Sequence, residues 1–277
     1  MKFQKGLGDF FALDIGTNAV RVLQLSATSQ NSWSLVAHGY VPVDRKVTAS
    51  DSPEARRQLG EVIMTAVGQS GIKTKNVAVG LPSGKTFTTV VDIPTMSEAE
   101  LKATMKYRID QYVPMGTDEA KVDWALLGSS LRAQNQEEVL ITSVSKEYSE
   151  ERLELVESLG LNVIAEEPDP LAMVRALVPA NSANTALMLV DMGELSADIA
   201  ITYGDTPRLI RTIPMGLNSL VKSTVQNLSV QEDQARQFIL KFGLAKDRLE
   251  GQVYRAIEMT LDGFTSELVN QDRKSVV

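Results

Sequence analysis

Two motifs of the same form, an aspartate followed two residues later by a glycine, constrain the fold of this chain more than any other feature. The first motif is Leu13-Asp14-Ile15-Gly16-Thr17 and the second is Val190-Asp191-Met192-Gly193. An acid at the end of a buried strand, followed by a glycine that lets backbone N–H groups approach an anion, is suited to hold phosphates and a hydrated metal ion. Because the two aspartates stand 177 residues apart, each motif can begin its own domain, and together they predict a clamp for a nucleotide.

The length and charge of the chain limit the classes of partner. Its 277 residues exceed the usual size of a single domain and predict two domains. With 28 basic and 35 acidic residues the net charge is −7, and no basic tract is present, which argues against nucleic acid or bare anionic lipid as the main partner. The sequence contains no cysteine, which excludes disulfides, thiolate metal sites and a cysteine nucleophile and agrees with a reducing compartment.

The apolar stretches of the sequence are all short. No run of about 18 apolar residues occurs, so no membrane-spanning helix is predicted. Near the start, Asp9 and Asp14 interrupt the apolar run before it could form the hydrophobic part of a secretion signal. We therefore expect any association with a membrane to come through a partner.

The first motif opens an antiparallel meander followed by a helix and a further strand. Ser52 is a predicted N-cap with Pro53 at the first helical position, and the apolar spacing continues to Gly71. The predicted strands are residues 10–15, 19–25, 33–41 and 76–81.

The next stretch, residues 86–165, reads as a compact α+β insert. Ser97 and Glu100 form a predicted capping box at the start of its first helix. Its other predicted elements are strands at 87–93, 122–127, 139–144 and 161–165 and a helix at 148–159.

The second motif then opens a repeat of the meander. After a helix at about 170–177, strands are predicted at 186–190, 197–203 and 208–213, and helices follow, with a second capping box at Ser229 to Glu232 and a long helix at 252–268. The predicted domains are 1–85, the insert 86–165, and 166–277. The predicted fold class is α/β, with duplicated domains and an inserted α+β subdomain.

Several shorter motifs stand in a fixed order along the chain. They are Gly80-Leu81-Pro82-Ser83, Asp92-Ile93-Pro94-Thr95-Met96-Ser97-Glu98, Gln111-Tyr112-Val113-Pro114, Asp123-Trp124, Asp169-Pro170-Leu171-Ala172 and Ile213-Pro214-Met215-Gly216. With the two Asp-x-Gly motifs they resemble the PilM family of type IV pilus assembly proteins, which are actin-like ATPases related to the cell-division protein FtsA. The resemblance runs from Phe11 to about Leu268 and implies an actin-like (ribonuclease H-like) fold that binds ATP and Mg²⁺. In the family a glycine-rich turn that holds the adenosine follows, and its absence here implies a second domain truncated at its C-terminus.

The resemblance also implies roles for individual residues in nucleotide binding. Asp14 and Asp191 match the two acids that hold magnesium through water beside the β- and γ-phosphates, and oxygen ligands with retained water suit that ion. Arg21 stands where relatives carry lysine, which keeps the charge but replaces a compact ammonium with a planar fork. The positions that match phosphate-contacting residues of the turns are Gly16, Thr17, Asn18, Gly193 and Ser196.

Three further positions bear on catalysis and on the ligand. Asp169 matches the acid that orients the attacking water, where glutamate is commoner, so we expect any hydrolysis to be slow; the alternative is an N-cap ahead of Pro170. Gly216 opens a helix whose N–H groups and dipole could meet a phosphate. Arg236 stands where relatives carry an acid for the ribose.

The resemblance implies a cytoplasmic, ATP-binding scaffold of pilus assembly, at most a weak ATPase, with its oligomeric state open. It would be recruited to the inner membrane by the N-terminal peptide of PilN, docked between the first domain and the insert. Phe87, Tyr107 and Tyr112 could anchor that peptide or could fill the core of the insert. The alternatives are an FtsA-like filament-forming cell-division protein, a small-molecule kinase of the same superfamily, and an adaptor with a degenerate nucleotide site.

Overall fold

A computed structural model describes residues 9–29, 32–116, 118–179 and 182–242, together with Asp262 and Ser266. Its contacts divide the chain into two compact units. The first unit takes in the described residues up to Leu189 and Ala200–Ile210, and the second takes in Val190–Ile199 and the described residues from Arg211 onward.

The described elements follow the predicted order of strands and helices. The strands are β1 Phe11–Ile15, β2 Ala19–Ser29, β3 Ser32–Pro42, β4 Asn76–Leu81, β5 Thr86–Pro94, β6 Ala120–Ser129, β7 Gln136–Ser145, β8 Asn162–Pro168, β9 Ala186–Met192, β10 Ala197–Tyr203 and β11 Thr206–Ile213. The helices are α1 Arg45–Thr48, α2 Pro53–Ser70, α3 Glu98–Arg108, α4 Lys146–Ser158, α5 Asp169–Leu177, α6 Leu217–Leu228 and α7 Glu232–Phe242. Among these described helices, none is long and apolar enough to cross a membrane.

The first sheet has the strand order β3-β2-β1-β4-β8. The predicted meander is confirmed, because β1 pairs antiparallel with β2 and β2 with β3, while β4 runs parallel to β1. The strand predicted at 161–165 was placed in the insert, and this was wrong: β8 pairs parallel with β4 and completes the first sheet. In other respects the domain boundaries stay a prediction.

One face of the first sheet is covered by α2 and α4. The prediction for α2 is confirmed at both ends: the Ser52 side chain accepts a hydrogen bond from the Ala55 N–H at 3.2 Å, and Gly71 ends the helix with φ +74°, a conformation that favours glycine. The shared core combines side chains of β1, β2, β4, α2 and α4. Its most buried members include Phe11, Leu13, Val20, Ile63, Ala66, Val77 and Val156.

The insert has its own sheet, of order β5-β7-β6, and its own core. Ser97 and Glu100 form the predicted capping box at the start of α3. Leu101 and Met105 of this helix are both buried and belong to the core of the insert. Ile93 and Ile141 complete the centre of this core.

The second series of strands forms a sheet of order β11-β10-β9, followed by α6 and α7. The second capping box was predicted wrongly: Ser229, with φ +52°, is the C-cap of α6, and α7 begins only at Glu232. The helix predicted for 252–268 lies outside the described residues except for Asp262 and Ser266, which are helical.

Candidate functional site

The first Asp-x-Gly motif forms a tight turn between β1 and β2, here called the first turn (residues 16–19). The Gly16 N–H donates a hydrogen bond to the Ala19 carbonyl at 3.0 Å. A β-carbon at Gly16 would lie 2.9 Å from Arg21 Nη1 and 3.2 Å from the Ala19 oxygen. A side chain at position 16 would therefore be crowded, and the predicted approach of an anion to this turn stays a prediction.

The first turn is fixed by contacts from elements outside the hairpin. The Thr48 hydroxyl of α1 donates to the Thr17 carbonyl at 2.8 Å, and the Val43 N–H donates to the Asn18 carbonyl at 3.0 Å. The carbonyl oxygens of the turn are thereby turned into the protein. A turn held in this way needs little reorganisation to bind a ligand.

Asp14 and Arg21 stand opposite each other in the register of β1 and β2. Their side chains form an ion pair at 2.9 Å, with 44% of Asp14 and 53% of Arg21 exposed. The guanidinium also lies 5.5 Å from the centre of the Tyr40 ring. Such an exposed pair contributes little to stability, about 1 kcal/mol at most, but it places a cation beside the glycine of the first turn.

Asp169 is brought to the same end of the first sheet as Asp14. Leu13 pairs with Val79, so Asp14 and Gly80 lie side by side, each one residue before the end of its strand in the parallel pair β1 and β4. A β-carbon at Gly80 would lie 2.6 Å from Asp169 Oδ1. Asp169 is the first residue of α5, and the N-cap is Pro168. The N-cap alternative for Asp169 is therefore wrong, while its catalytic role stays a prediction.

A second acid, Glu167, lies just before Asp169 on β8. Burial raises the pKa of Glu167 above its ordinary value, and Arg175 partly opposes this rise from a distance of 2.6 Å. The sequence reasoning did not single out Glu167. It could have been found from its position, since it is an acid on the strand that leads directly to the candidate catalytic residue.

The second Asp-x-Gly motif forms a turn of the same kind, here called the second turn (residues 193–196). The Gly193 N–H donates to the Ser196 carbonyl at 2.9 Å, which reproduces the bond that closes the first turn. A β-carbon at Gly193 would lie 3.0 Å from the Ser196 oxygen. The repeat seen in the sequence is thus a repeat of backbone geometry.

The start of α6 packs directly on the second turn. The N–H groups of Leu217 and Asn218 donate to the carbonyls of Gly193 and Glu194, each at 2.9 Å. A β-carbon at Gly216 would lie 2.6 Å from the Gly193 oxygen. Gly216 therefore has a packing role, and its predicted contact with a phosphate stays a prediction, since two N–H groups of this helix end have partners within the chain.

Sequence reasoning missed two further contacts, one within the second turn and one in β10 just after it. Arg236 of α7 donates two hydrogen bonds to the Glu194 carboxylate, from Nη1 at 3.1 Å and from Nη2 at 2.6 Å, and hydrogen bonding to Glu194 raises the pKa of Arg236. Asp198 is buried and accepts a hydrogen bond from the Thr212 hydroxyl at 2.7 Å. The signal for Asp198 was its position seven residues after Asp191, where the first motif has Arg21.

The predicted site residues fall into two groups. The first unit holds Asp14, Gly16, Thr17, Asn18, Arg21 and Asp169. The second unit holds Asp191, Gly193, Ser196 and Gly216. Within the described part of the chain, no group of three or more histidine, cysteine, aspartate or glutamate side chains is arranged to hold a metal ion.

Comparison with known proteins finds relatives in sequence and in structure. The chain is 25% identical over 261 residues to cell division protein FtsA of Bacillus subtilis (strain 168), covering 85% of this chain and 58% of that protein, so it spans less than two thirds of the relative's length. It also resembles the solved structure of a PilM-PilN type IV pilus biogenesis complex, with a TM-score of 0.78, 19% identity, and coverage of 94% of this chain and 75% of that chain.

A more distant similarity is to the ethanolamine utilization protein EutJ from Carboxydothermus hydrogenoformans, with a TM-score of 0.54, 13% identity, and coverage of 97% and 72% of the two chains. These two structural likenesses show the fold, which is mixed α/β and actin-like. The family model for type IV pilus assembly protein PilM matches residues 12–261, which is most of the sequence. The chain therefore belongs to the PilM family of type IV pilus assembly proteins, within the actin-like ATPase superfamily.

Proposed function

We propose that this chain is an ATP-binding scaffold of type IV pilus assembly, recruited from the cytoplasm to the inner membrane by the N-terminal peptide of PilN. Its main support is that both Asp-x-Gly motifs fold into turns closed by the same hydrogen bond, from Gly16 to Ala19 and from Gly193 to Ser196. Two turns of one geometry, each two residues after an acid, suit a ligand that carries several phosphates.

The chemistry of the turns supports a hydrated magnesium ion beside those phosphates. Asp14 and Asp191 supply carboxylate oxygens, which magnesium prefers, and an ion held by few carboxylates keeps several waters. When bound, the ion would neutralise phosphate charge. Arg21 lies over Gly16, from where its planar fork could donate to a phosphate oxygen.

Asp169 is the proposed residue that orients an attacking water. Its carboxylate lies against Gly80, at the end of the strand next to β1, and so belongs to the same edge as Asp14. Because an aspartate reaches about one bond less far than the glutamate common in relatives, we propose that ATP is hydrolysed slowly. Hydrolysis would then serve as a switch. Binding, rather than hydrolysis, would then favour one conformation of the scaffold.

Calorimetric titration with ATP and Mg²⁺ tests the nucleotide site. Asp14→Ala and Asp191→Ala should each weaken binding at least about tenfold, equivalent to about 1.4 kcal/mol. Asp9→Ala is the matched control, because Asp9 is exposed and precedes the opposite end of β1. Equal affinity in all three variants would contradict the assignment, and no binding by the unaltered chain would favour an adaptor without nucleotide.

The proposed PilN contact is supported by the similarity to the PilM-PilN complex and by one exposed aromatic side chain. Of the three candidate anchors, Phe87 and Tyr112 pack against the core of the insert. Tyr107 on α3 is 77% exposed and is available to a partner. Exposed aromatic residues of this kind often dominate the binding energy of peptides.

Fluorescence anisotropy with a labelled synthetic peptide of the PilN N-terminus tests this contact. Tyr107→Ala should weaken binding at least about tenfold, as expected for an interface hot spot. Tyr40→Ala provides the control, because Tyr40 is also exposed, at 58%, but lies on β3 of the first sheet. A peptide that binds both variants as tightly as the unaltered chain would show that Tyr107 is not the anchor.

A further inference from the structure

A groove of about 550 Å³ runs between α2 and α4 on the outer side of the first sheet. Its volume lies within the range of about 300–1,000 Å³ that is typical of ligand sites. Both helices belong to the first unit, and the groove is lined by residues of α2 and α4 and by Leu159, which follows α4. Of the residues proposed above to anchor PilN, which are Phe87, Tyr107 and Tyr112, none lines the groove.

The floor of the groove is apolar. Gly60 allows the two helices to approach closely, since a β-carbon there would lie 3.1 Å from Leu159 Cδ2 and 3.8 Å from Leu155 Cδ1. Leu155 and Leu159 are only partly buried against the core, and Met64 is 41% exposed. Methionine adapts to partners of different shape, which suits a binding surface.

The charged side chains that line the groove are paired in all cases but one. Arg56 forms an ion pair with Glu151, and Arg57 bonds to Glu61 at 2.5 Å. Glu154, the remaining charged residue of the lining, is exposed and has no hydrogen-bond or ion-pair partner among the residues that the structure describes. The complementary ligand is therefore apolar with a basic group.

We propose that this groove docks a basic amphipathic helix of a partner protein. Apolar side chains spaced i, i+3, i+4 and i+7 would enter between α2 and α4, and a lysine or arginine beside them would pair with Glu154. A helix is the favoured occupant for a geometric reason. Two adjacent helices leave a groove between them, and a ridge of side chains on a third helix packs into such a groove. The groove lining carries three glutamates and two arginines, an acidic excess that disfavours an anionic lipid surface.

A model peptide tests the proposal without knowledge of the natural partner. The probe is a fluorescein-labelled 18-residue helix of leucine and lysine with its leucines at the spacing given above, and its affinity is measured by anisotropy. Glu154→Lys should weaken binding at least about tenfold. Glu157→Lys is the matched control, since it makes the same charge change at an exposed position of the same helix that does not line the groove, and it should change affinity less than about twofold.

A second measurement locates the bound peptide. The sequence has no cysteine, so Met64→Cys or Thr65→Cys introduces a single thiol for an environment-sensitive dye. Met64 lines the groove and Thr65 does not, so the dye should respond to the peptide only at position 64.

Several results would overturn the proposal. The first is the absence of saturable binding, and the second is an equal loss of affinity in Glu154→Lys and Glu157→Lys, which would indicate charge attraction alone. A third is a dye at position 64 that responds to anionic phosphatidylserine vesicles but not to the peptide. Self-association of the unliganded chain that Glu154→Lys abolishes would instead assign the groove to a second copy.

Discussion

Replacement of Gly216 by alanine should destabilise the second turn and the start of α6. A β-carbon at this position would lie 2.6 Å from the Glu194 carbonyl carbon and the Gly193 oxygen, and 2.7 Å from the Glu194 oxygen. All three are backbone atoms, so no side chain can rotate to relieve the overlap. The turn and the helix would have to separate by about 0.8 Å to restore ordinary contact, which begins near 3.4 Å.

The magnitude follows from the contacts that this separation disturbs. Overpacking a tight site costs about 1–3 kcal/mol. The hydrogen bonds from the Leu217 and Asn218 N–H groups to Gly193 and Glu194 would lengthen together, and each contributes about 0.5–1.5 kcal/mol. We expect Gly216→Ala to lower the free energy of unfolding by about 2–6 kcal/mol.

Urea titration followed by circular dichroism measures this change, with Gly68→Ala as the matched control. Gly68 lies within α2, and a β-carbon there meets nothing within 4 Å, so alanine should raise stability by about 0.5–1 kcal/mol through its higher helix propensity. If Gly216→Ala changes stability by less than about 0.5 kcal/mol, the turn is not held by α6 as described.

Three further predictions concern the core, a buried acid and the second turn. Ile63→Ala should lower the free energy of unfolding by about 2–5 kcal/mol in urea titration, since Ile63 is fully buried; a loss below about 1 kcal/mol would contradict the packing. Burial raises the pKa of Glu167 above 4.5 despite Arg175, so the contribution of Glu167 to stability is present below pH 4.5 and is lost as pH rises through the raised pKa. Relative to Glu167→Gln, the unaltered chain should therefore lose stability as pH rises above 4.5, and a difference constant with pH would argue against the shift. Arg236→Lys replaces the two-pronged contact with Glu194 by a single ammonium and should cost about 1 kcal/mol, with an unchanged urea midpoint as the contrary result.

Local rules predicted most of the elements of this chain. The ends of α2 follow from Ser52 and Gly71, and the start of α3 follows from Ser97 and Glu100, because caps satisfy backbone groups through residues only a few positions away. Periodicity likewise identified β4 and β10 with the bounds that the structure shows. The repeated Asp-x-Gly motif predicted a turn after each of two strands because glycine, which has no side chain, lets backbone groups come close to other atoms.

Contacts between distant segments could not be read from local patterns. A strand signal at 161–165 does not specify which sheet it joins, since parallel pairing with β4 depends on a partner about 85 residues away. Ser229 and Glu232 fit a capping box, but Ser229 instead ends α6 in a left-handed conformation. The pairing of Glu194 with Arg236 spans 42 residues, and it depends on the packing of α7 against α6, whose start bonds to the second turn.

Both turns are closed by main-chain atoms, so their geometry does not depend on the side chain seven residues after each acid. The charge of that side chain can therefore differ between the two repeats. Asp14 faces Arg21, so the first repeat carries its own counterion, whereas Asp198 occupies the corresponding place in the second repeat and Asp191 has no oppositely charged neighbour among the described residues. If these aspartates bind a divalent cation as proposed, we expect Asp191 to gain more from it than Asp14. Two turns of one backbone geometry thus differ in charge: Asp14 is paired with a cation within the chain, and Asp191 is the aspartate at which a bound ion would meet an unneutralised carboxylate.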